Sequence, residues 1–251
     1  MKKSFLIMMI IASLLLILCD SQKESETEFD KFAPLEKSQT SKLLRKAKAE
    51  QSESRTDSEK ILTQAEINDI LNRVAQTEGT AVSDKEVALL ETSMGTLVIS
   101  FYTDVAPEHC KSFKRLVKAG YFDGTRFHRI MDGFVIQGGD ILTRDNNPDN
   151  DGTGGPGYTL PAEFSGIPHD FGIVSMARSQ DPNSAGSQFF ICLSREGTAA
   201  LDGKYTVFAK VIGGLDVIEK IAKVPTQPSR YGEKSVPVEP VFIKRAFMVT
   251  R

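Results

Sequence analysis

Polar and apolar positions divide this chain into segments of different character. Lys2 and Lys3 precede an apolar run, Phe5–Leu18, that ends at Cys19 and gives way at once to Asp20-Ser21-Gln22. The run is too short to cross a bilayer comfortably and fits the hydrophobic region of a signal peptide over 1–18. Residues 20–60 are rich in Ser, Glu, Lys and Gln and poor in aromatics. Such a stretch buries too little apolar surface to offset the entropy of ordering, so a disordered tether is expected over 19–62. A coil of about 40 residues reaches roughly 35 Å. Ile67, Ile70, Leu71 and Val74 then recur at i, i+3, i+4 and i+7, which predicts a helix over 63–76. Thr63 and Glu66 stand at capping-box spacing at its start. This helix and its linker, 63–86, either pack on the domain that follows or pair with a partner.

From Val87 onward the pattern is one of short strands. Val87–Thr92 and Thr96–Phe101 flank Ser93-Met94-Gly95 and read as a hairpin. Further strands are expected at Arg126–Met131, Val135–Gly138, Ile173–Ala177, Gln188–Leu193, Tyr205–Val211 and Val241–Val249. Pro107 opens a helical stretch that Gly120 stops, and a second helix fits Leu215–Ala222. Many short strands with two helices predict a mainly β domain over 87–251, a closed antiparallel barrel capped by two α-helices.

Composition changes this picture little. The 251 residues carry a net charge of −2, so no electrostatic case exists for nucleic-acid binding. Cys110 and Cys192 stand in no metal-ligand spacing and read as buried thiols, with a disulfide between them left open. Asn147, Asp149, Asp151 and Gly152 hint at a calcium loop, but Tyr158 stands where a Glu would complete it, so no metal is assigned. His109 and His169 form no ligand cluster, and His128 is expected to turn away from its neighbour Arg129.

Two segments carry the candidate chemistry. The first is Phe127-His128-Arg129-Ile130-Met131-Asp132-Gly133-Phe134-Val135-Ile136-Gln137-Gly138-Gly139-Asp140 and the second Gly186-Ser187-Gln188-Phe189-Phe190-Ile191. Side chains alternate across a strand, so Gln188 and Phe190 share one face and Phe189 and Ile191 the other. One face can be core while the other floors a pocket. Together the segments resemble the signature of the cyclophilin family of peptidyl-prolyl cis/trans isomerases, and the resemblance covers 87–251. It implies an eight-stranded closed barrel with a helix at each end. It also implies that Arg129, Phe134 and Gln137 are catalytic, and that Val135, Ala177, Arg178, Gln188, Phe190, Leu201 and Tyr205 bind substrate. Tyr205 stands where the best-known members have His. The loop Gly152–Tyr158 resembles one that borders the family's pocket.

The implied reaction needs no cofactor and no proton transfer. The X–Pro amide has a rotation barrier of ~18–20 kcal/mol. A catalyst must offer a donor to the prolyl nitrogen of the twisted state, an apolar slot for the ring and a grip on the flanking backbone. The implied partners are proline-containing polypeptides bound by a monomer. The alternative is a non-catalytic module that holds proline peptides as a chaperone or scaffold. Finally, the apolar run closing on Cys19 resembles the lipobox of bacterial lipoproteins, with Leu18 where most have Gly, Ala or Ser. That implies lipidation at Cys19, a membrane anchor and a domain facing the periplasm or the exterior, where it would act on envelope proteins.

Overall fold

Eight strands pair in one antiparallel sheet in a computed structural model that describes residues 32–51 and 58–251. They are β1 (Glu86–Thr92), β2 (Gly95–Phe101), β3 (Arg129–Met131), β4 (Val135–Gly138), β5 (Ile173–Met176), β6 (Phe189–Cys192), β7 (Val207–Gly213) and β10 (Ile243–Thr250). Their order is β10-β1-β2-β7-β5-β6-β4-β3. The signal-peptide run, Cys19 and the first part of the expected tether lie outside the described residues. Leu35–Arg251 form one compact unit. Among the described residues, no helix is long and apolar enough to cross a membrane.

The expected closed ladder is not formed. The sheet curls into a half-barrel whose edge strands, β3 and β10, do not pair with each other. The segment before β3 meets the start of β10 and the residues just before it instead: Gly124 N donates to Ile243 O at 2.6 Å, Ile243 N to Thr125 O at 2.9 Å and Phe127 N to Val241 O at 2.8 Å. The outer side of β3 is taken by a hairpin, β8 (Thr226–Pro228) with β9 (Lys234–Pro237), for which the pattern of residues gave no signal.

The helices that cap the sheet are α3 (Pro107–Lys118) and α5 (Leu215–Ala222). Pro107 sits in the first turn of α3, where its missing N–H costs nothing. The Glu163 carboxylate accepts from the N–H groups of Glu108 and His109 at 3.2 and 3.1 Å and so caps that end. Phe113 of α3, 2 % exposed, packs against the rings of Phe101, Phe122, Phe189 and Phe208 at 4.8–5.8 Å between centroids. This ring cluster joins the helix to β2, β6 and β7 of the curled sheet.

The predicted helix at 63–76 is α2 (Gln64–Gln76), with the expected reciprocal cap between Thr63 and Glu66. It packs on the domain through Ile67, Ile70 and Val74, and Arg115 of α3 donates to Val74 O and Ala75 O at its end. The expectation of a disordered tether over 19–62 does not hold for α1 (Lys37–Glu50). Only Thr40 and Ala47 of α1 are buried, so hydrophobic patterning could not reveal it. Polar groups hold it instead: Lys46 donates to Thr250 O, Gln51 to Met248 O and Lys48 pairs with Glu91. A short helix, α4 (Arg195–Thr198), completes those described. Cys110 and Cys192 are buried thiols in different clusters, not joined by a disulfide, and burial pushes the Cys192 thiol up to about 12.

Candidate active site

Register builds the site as a row across four strands. Ser175 of β5 pairs with Phe190 of β6, Phe190 with Gln137 of β4, and Gln137 with Arg129 of β3. Paired residues point to the same side of a sheet. The next row, Val174, Ile191, Ile136 and Ile130, points the other way and lies wholly in the main core. Phe189 joins them there, fully buried, as its alternation with Phe190 requires.

Phe190 belongs to a separate apolar cluster with Val135, Ile173, Cys192 and Val207. Phe134, Ala177, Leu201, Tyr205, Tyr102 and Ile167 pack on it half-exposed, so the cluster opens to solvent where the resemblance implies the proline slot. The Tyr205 ring meets Phe190 edge to face at 5.7 Å. Arg178 stacks over Tyr205 at 4.6 Å and donates to Lys204 O at 2.9 and 3.1 Å, tying the strand end at Ala177 to the rim. Ala177 N donates to Gln188 O at 2.9 Å.

A polarised chain of hydrogen bonds runs beside the slot. Arg129 Nη1 faces Gln137 Oε1 at 3.5 Å, Gln137 Nε2 donates to Gln188 Oε1 at 3.2 Å, and Gln188 Nε2 donates to Gly152 O and Gly154 O, each at 2.9 Å. Every donor points from Arg129 toward the glycine loop, so reversing either amide would break its links on both sides. Gly154 has no room for a side chain: a Cβ there would stand 2.1 Å from Asp140 Oδ1. Beyond β3, Glu233 accepts from Arg129 Nε at 2.7 Å and from Nη2 at 2.9 Å. That hydrogen bond holds the Glu233 carboxyl below its usual range, against the effect of its partial burial. The guanidinium also lies over the Phe134 ring at 5.5 Å.

Two cavities flank Gln137. One of ≈ 730 Å³ is bordered by Gly154, Ala177, Arg178 and Gln188. The other, ≈ 560 Å³, is bordered by Arg129, His128, Asp151, Tyr231 and Glu233. His128 was expected on the opposite side from Arg129, yet it borders the same cavity. β3 begins only at Arg129, so strand alternation does not reach His128. In the acidic loop Asp145 accepts from Asn147 N and Asn150, and Asp140, just before it, accepts from Leu142 N and Gly152 N.

A polar network running from the buried His169 and Ser175 out to the surface supports the slot floor. The His169 ring is stacked with Phe190 at 6.0 Å and 20°. Its Nδ1 pairs with Asp202 at 3.1 Å and its Nε2 with Ser175 Oγ at 3.1 Å. Arg195 holds Asp202 by two hydrogen bonds, at 2.9 and 2.6 Å. Burial drives the His169 pKa down, against the opposing pull of Asp202. Asp202 is held well below the carboxylate range by Arg195 and the His169 N–H.

All ten site residues inferred from the sequence in the described region therefore come together: six in or on the slot cluster, three in the hydrogen-bond chain, and Arg178 on the Tyr205 rim. Glu233 and His169 were missed. Glu233 is 104 residues from Arg129 in sequence, and no local pattern links them. His169 carried no signal beyond being a lone histidine.

Comparison with known proteins gives the family. Residues 87–247 match the family model for cyclophilin type peptidyl-prolyl cis-trans isomerase/CLD. A probable peptidyl-prolyl cis-trans isomerase of Brucella abortus is 41% identical over 148 residues, 57% of this chain and 74% of the relative. A peptidyl-prolyl cis-trans isomerase-like 1 of Rhizopus delemar is 43% identical over 150 residues, 58% of this chain and 85% of the relative. A Cryptosporidium parvum cyclophilin type peptidyl-prolyl cis-trans isomerase, crystallised in the presence of the dipeptide Ala-Pro, superposes with a TM-score of 0.58 and 30% identity, covering 66% of this chain and 99% of that one.

Proposed function

The chain belongs to the cyclophilin-type peptidyl-prolyl cis-trans isomerases, and from that premise we propose that Arg129 performs the isomerisation by hydrogen-bonding the twisted prolyl amide. In that state the nitrogen has lost conjugation with the carbonyl and regained a lone pair. The Arg129 guanidinium, permanently protonated, donates to it and transfers no proton. The proline ring occupies the slot of Phe134, Val135, Phe190, Leu201 and Tyr205. Gln137 and Gln188 orient the arginine and the peptide, and the backbone at Ala177 and Arg178 holds the residue before proline, with the larger cavity receiving the residues that precede it.

Magnitudes assign the work. Bringing a step of tens of seconds to milliseconds takes about four decades, roughly 5–6 kcal/mol. One charge-assisted hydrogen bond supplies ~1.5–3 kcal/mol net. The remainder must come from a pocket that favours the twisted amide over either planar one. The single observation that carries this reading is the polarised Arg129–Gln137–Gln188 chain lying along an apolar slot. A module that only held proline peptides would need the slot but not the oriented cation. Exchange spectroscopy on a Xaa-Pro peptide tests the choice. Cis/trans exchange should accelerate with catalytic amounts of protein. Saturable binding with an unaltered exchange rate would instead identify a chaperone or scaffold.

We propose further that the protein is a lipid-anchored envelope protein whose clients are proline-containing segments of other envelope proteins. The apolar run ending in Cys19 supports this. One acyl chain anchors only marginally, and stable attachment takes at least two. Cys19→Ser is thus expected to move the protein from the detergent phase to the aqueous phase on phase partitioning. Unchanged partitioning would point to an uncleaved apolar anchor.

A further inference from the structure

The β8–β9 hairpin lies outside the eight-stranded sheet, yet it delivers the closest partner of Arg129. Its turn is closed by Gly232 N donating to Ser229 O at 2.9 Å and Ser229 N to Glu233 O at 2.7 Å. Gly232, at φ +82°, is in the left-handed region that a glycine enters without strain. Glu233 follows at once, and its carboxylate meets Arg129 through both oxygens at 2.7 and 2.9 Å.

A guanidinium offers one N–H on Nε and two on each terminal nitrogen. Glu233 takes the Nε edge and one position on Nη2, and Met131 Sδ lies 3.0 Å from Nη2 as well. Nη1 has only the long contact to Gln137 at 3.5 Å. The carboxylate therefore occupies the side of the fork away from the glutamine chain and leaves Nη1 as its least committed nitrogen. The Arg129 side chain is 30% exposed and would otherwise sample several rotamers.

We propose that Glu233 is a positioning residue: its bidentate clamp locks the guanidinium plane so that Nη1 faces the prolyl amide. This rests on the reading that Arg129 donates to that amide. The clamp withdraws some of the arginine's charge but removes its rotational freedom before substrate arrives. Orientation is the larger effect, because the donor must meet a nitrogen whose lone pair exists only in the twisted state.

Glu233→Ala and Glu233→Gln test this, with Arg129→Ala alongside. For Glu233→Ala, kcat should fall about five- to tenfold while KM stays within about twofold, the pattern of an interaction expressed in the transition state. Glu233→Gln, which keeps one acceptor oxygen but loses the charge and the fork, should fall between Glu233→Ala and wild type. Arg129 Nη1 and Nη2 should give separate nitrogen-15 signals in the wild type and merge in Glu233→Ala as rotation about the Nε–Cζ bond is freed. Unchanged kcat in Glu233→Ala would overturn the proposal, whether or not the signals merge. A rise in kcat would overturn it too, by showing that the carboxylate competes with substrate. Should Arg129→Ala retain full turnover, the reading of Arg129 itself fails. Should Arg129→Ala be inactive and Glu233→Ala fully active, only the clamp fails.

Discussion

Arg129→Ala is expected to lower kcat/KM at least tenfold with the fold intact, a loss of about 1.4 kcal/mol or more of transition-state stabilisation. The side chain is half-buried at the mouth of the slot, and the Glu233 carboxylate it leaves is 34% exposed, so solvent can rehydrate that charge. Circular dichroism should therefore be unchanged. Arg129→Lys should remain well below wild type. An ammonium is a point charge on a flexible stem and does not reproduce the planar fork that meets both Glu233 oxygens on one edge and presents Nη1 on the other. Turnover in the Ala variant close to wild type would remove Arg129 from the mechanism and leave the slot as a peptide-binding device.

The second large effect is on stability. Phe113→Ala should destabilise the protein by about 3–5 kcal/mol, the range for emptying a buried aromatic site. Phe113 touches Phe101, Phe122, Phe189 and Phe208, which come from strands on different parts of the sheet and from the segment after α3. No single neighbour can collapse into the hole without leaving another ring unsupported. Its contact with Phe189 also ties it to function. Phe189 and Phe190 are adjacent on β6, one facing the core and the other the slot, so loosening the first loosens the floor under the second. A urea titration should show an earlier midpoint, and the surviving folded protein should bind Xaa-Pro peptide less tightly. A loss below about 1 kcal/mol would mean that the ring cluster repacks and is not what joins α3 to the sheet.

Much of this protein is legible without coordinates because the determining signals are local. The alternation Gln188-Phe189-Phe190-Ile191 assigns core and slot faces, since a strand can point its side chains only to alternate sides. Thr63 and Glu66 mark the start of α2 because a helix end must satisfy its own N–H groups from nearby residues. Pro107 and the helical spacing of apolar residues within Leu215–Ala222 locate the two capping helices for similar reasons. Where an element is held by distant partners, the sequence is silent. α1 buries almost nothing apolar and is held by lysine and glutamine side chains reaching carbonyls of β10. The β8–β9 hairpin is polar, and its place beside β3 depends on where the curled sheet brings its short edge strand. The half-open sheet itself depends on where the chain carries its two edge strands, β3 and β10, which are linked through residues 124–127 and 241–243 and not along their lengths. The Arg129–Glu233 pair belongs to this second class. Nothing near Arg129 in sequence specifies its counter-ion, because the carboxylate arrives from more than a hundred residues away and only the tertiary fold brings the two within hydrogen-bonding distance.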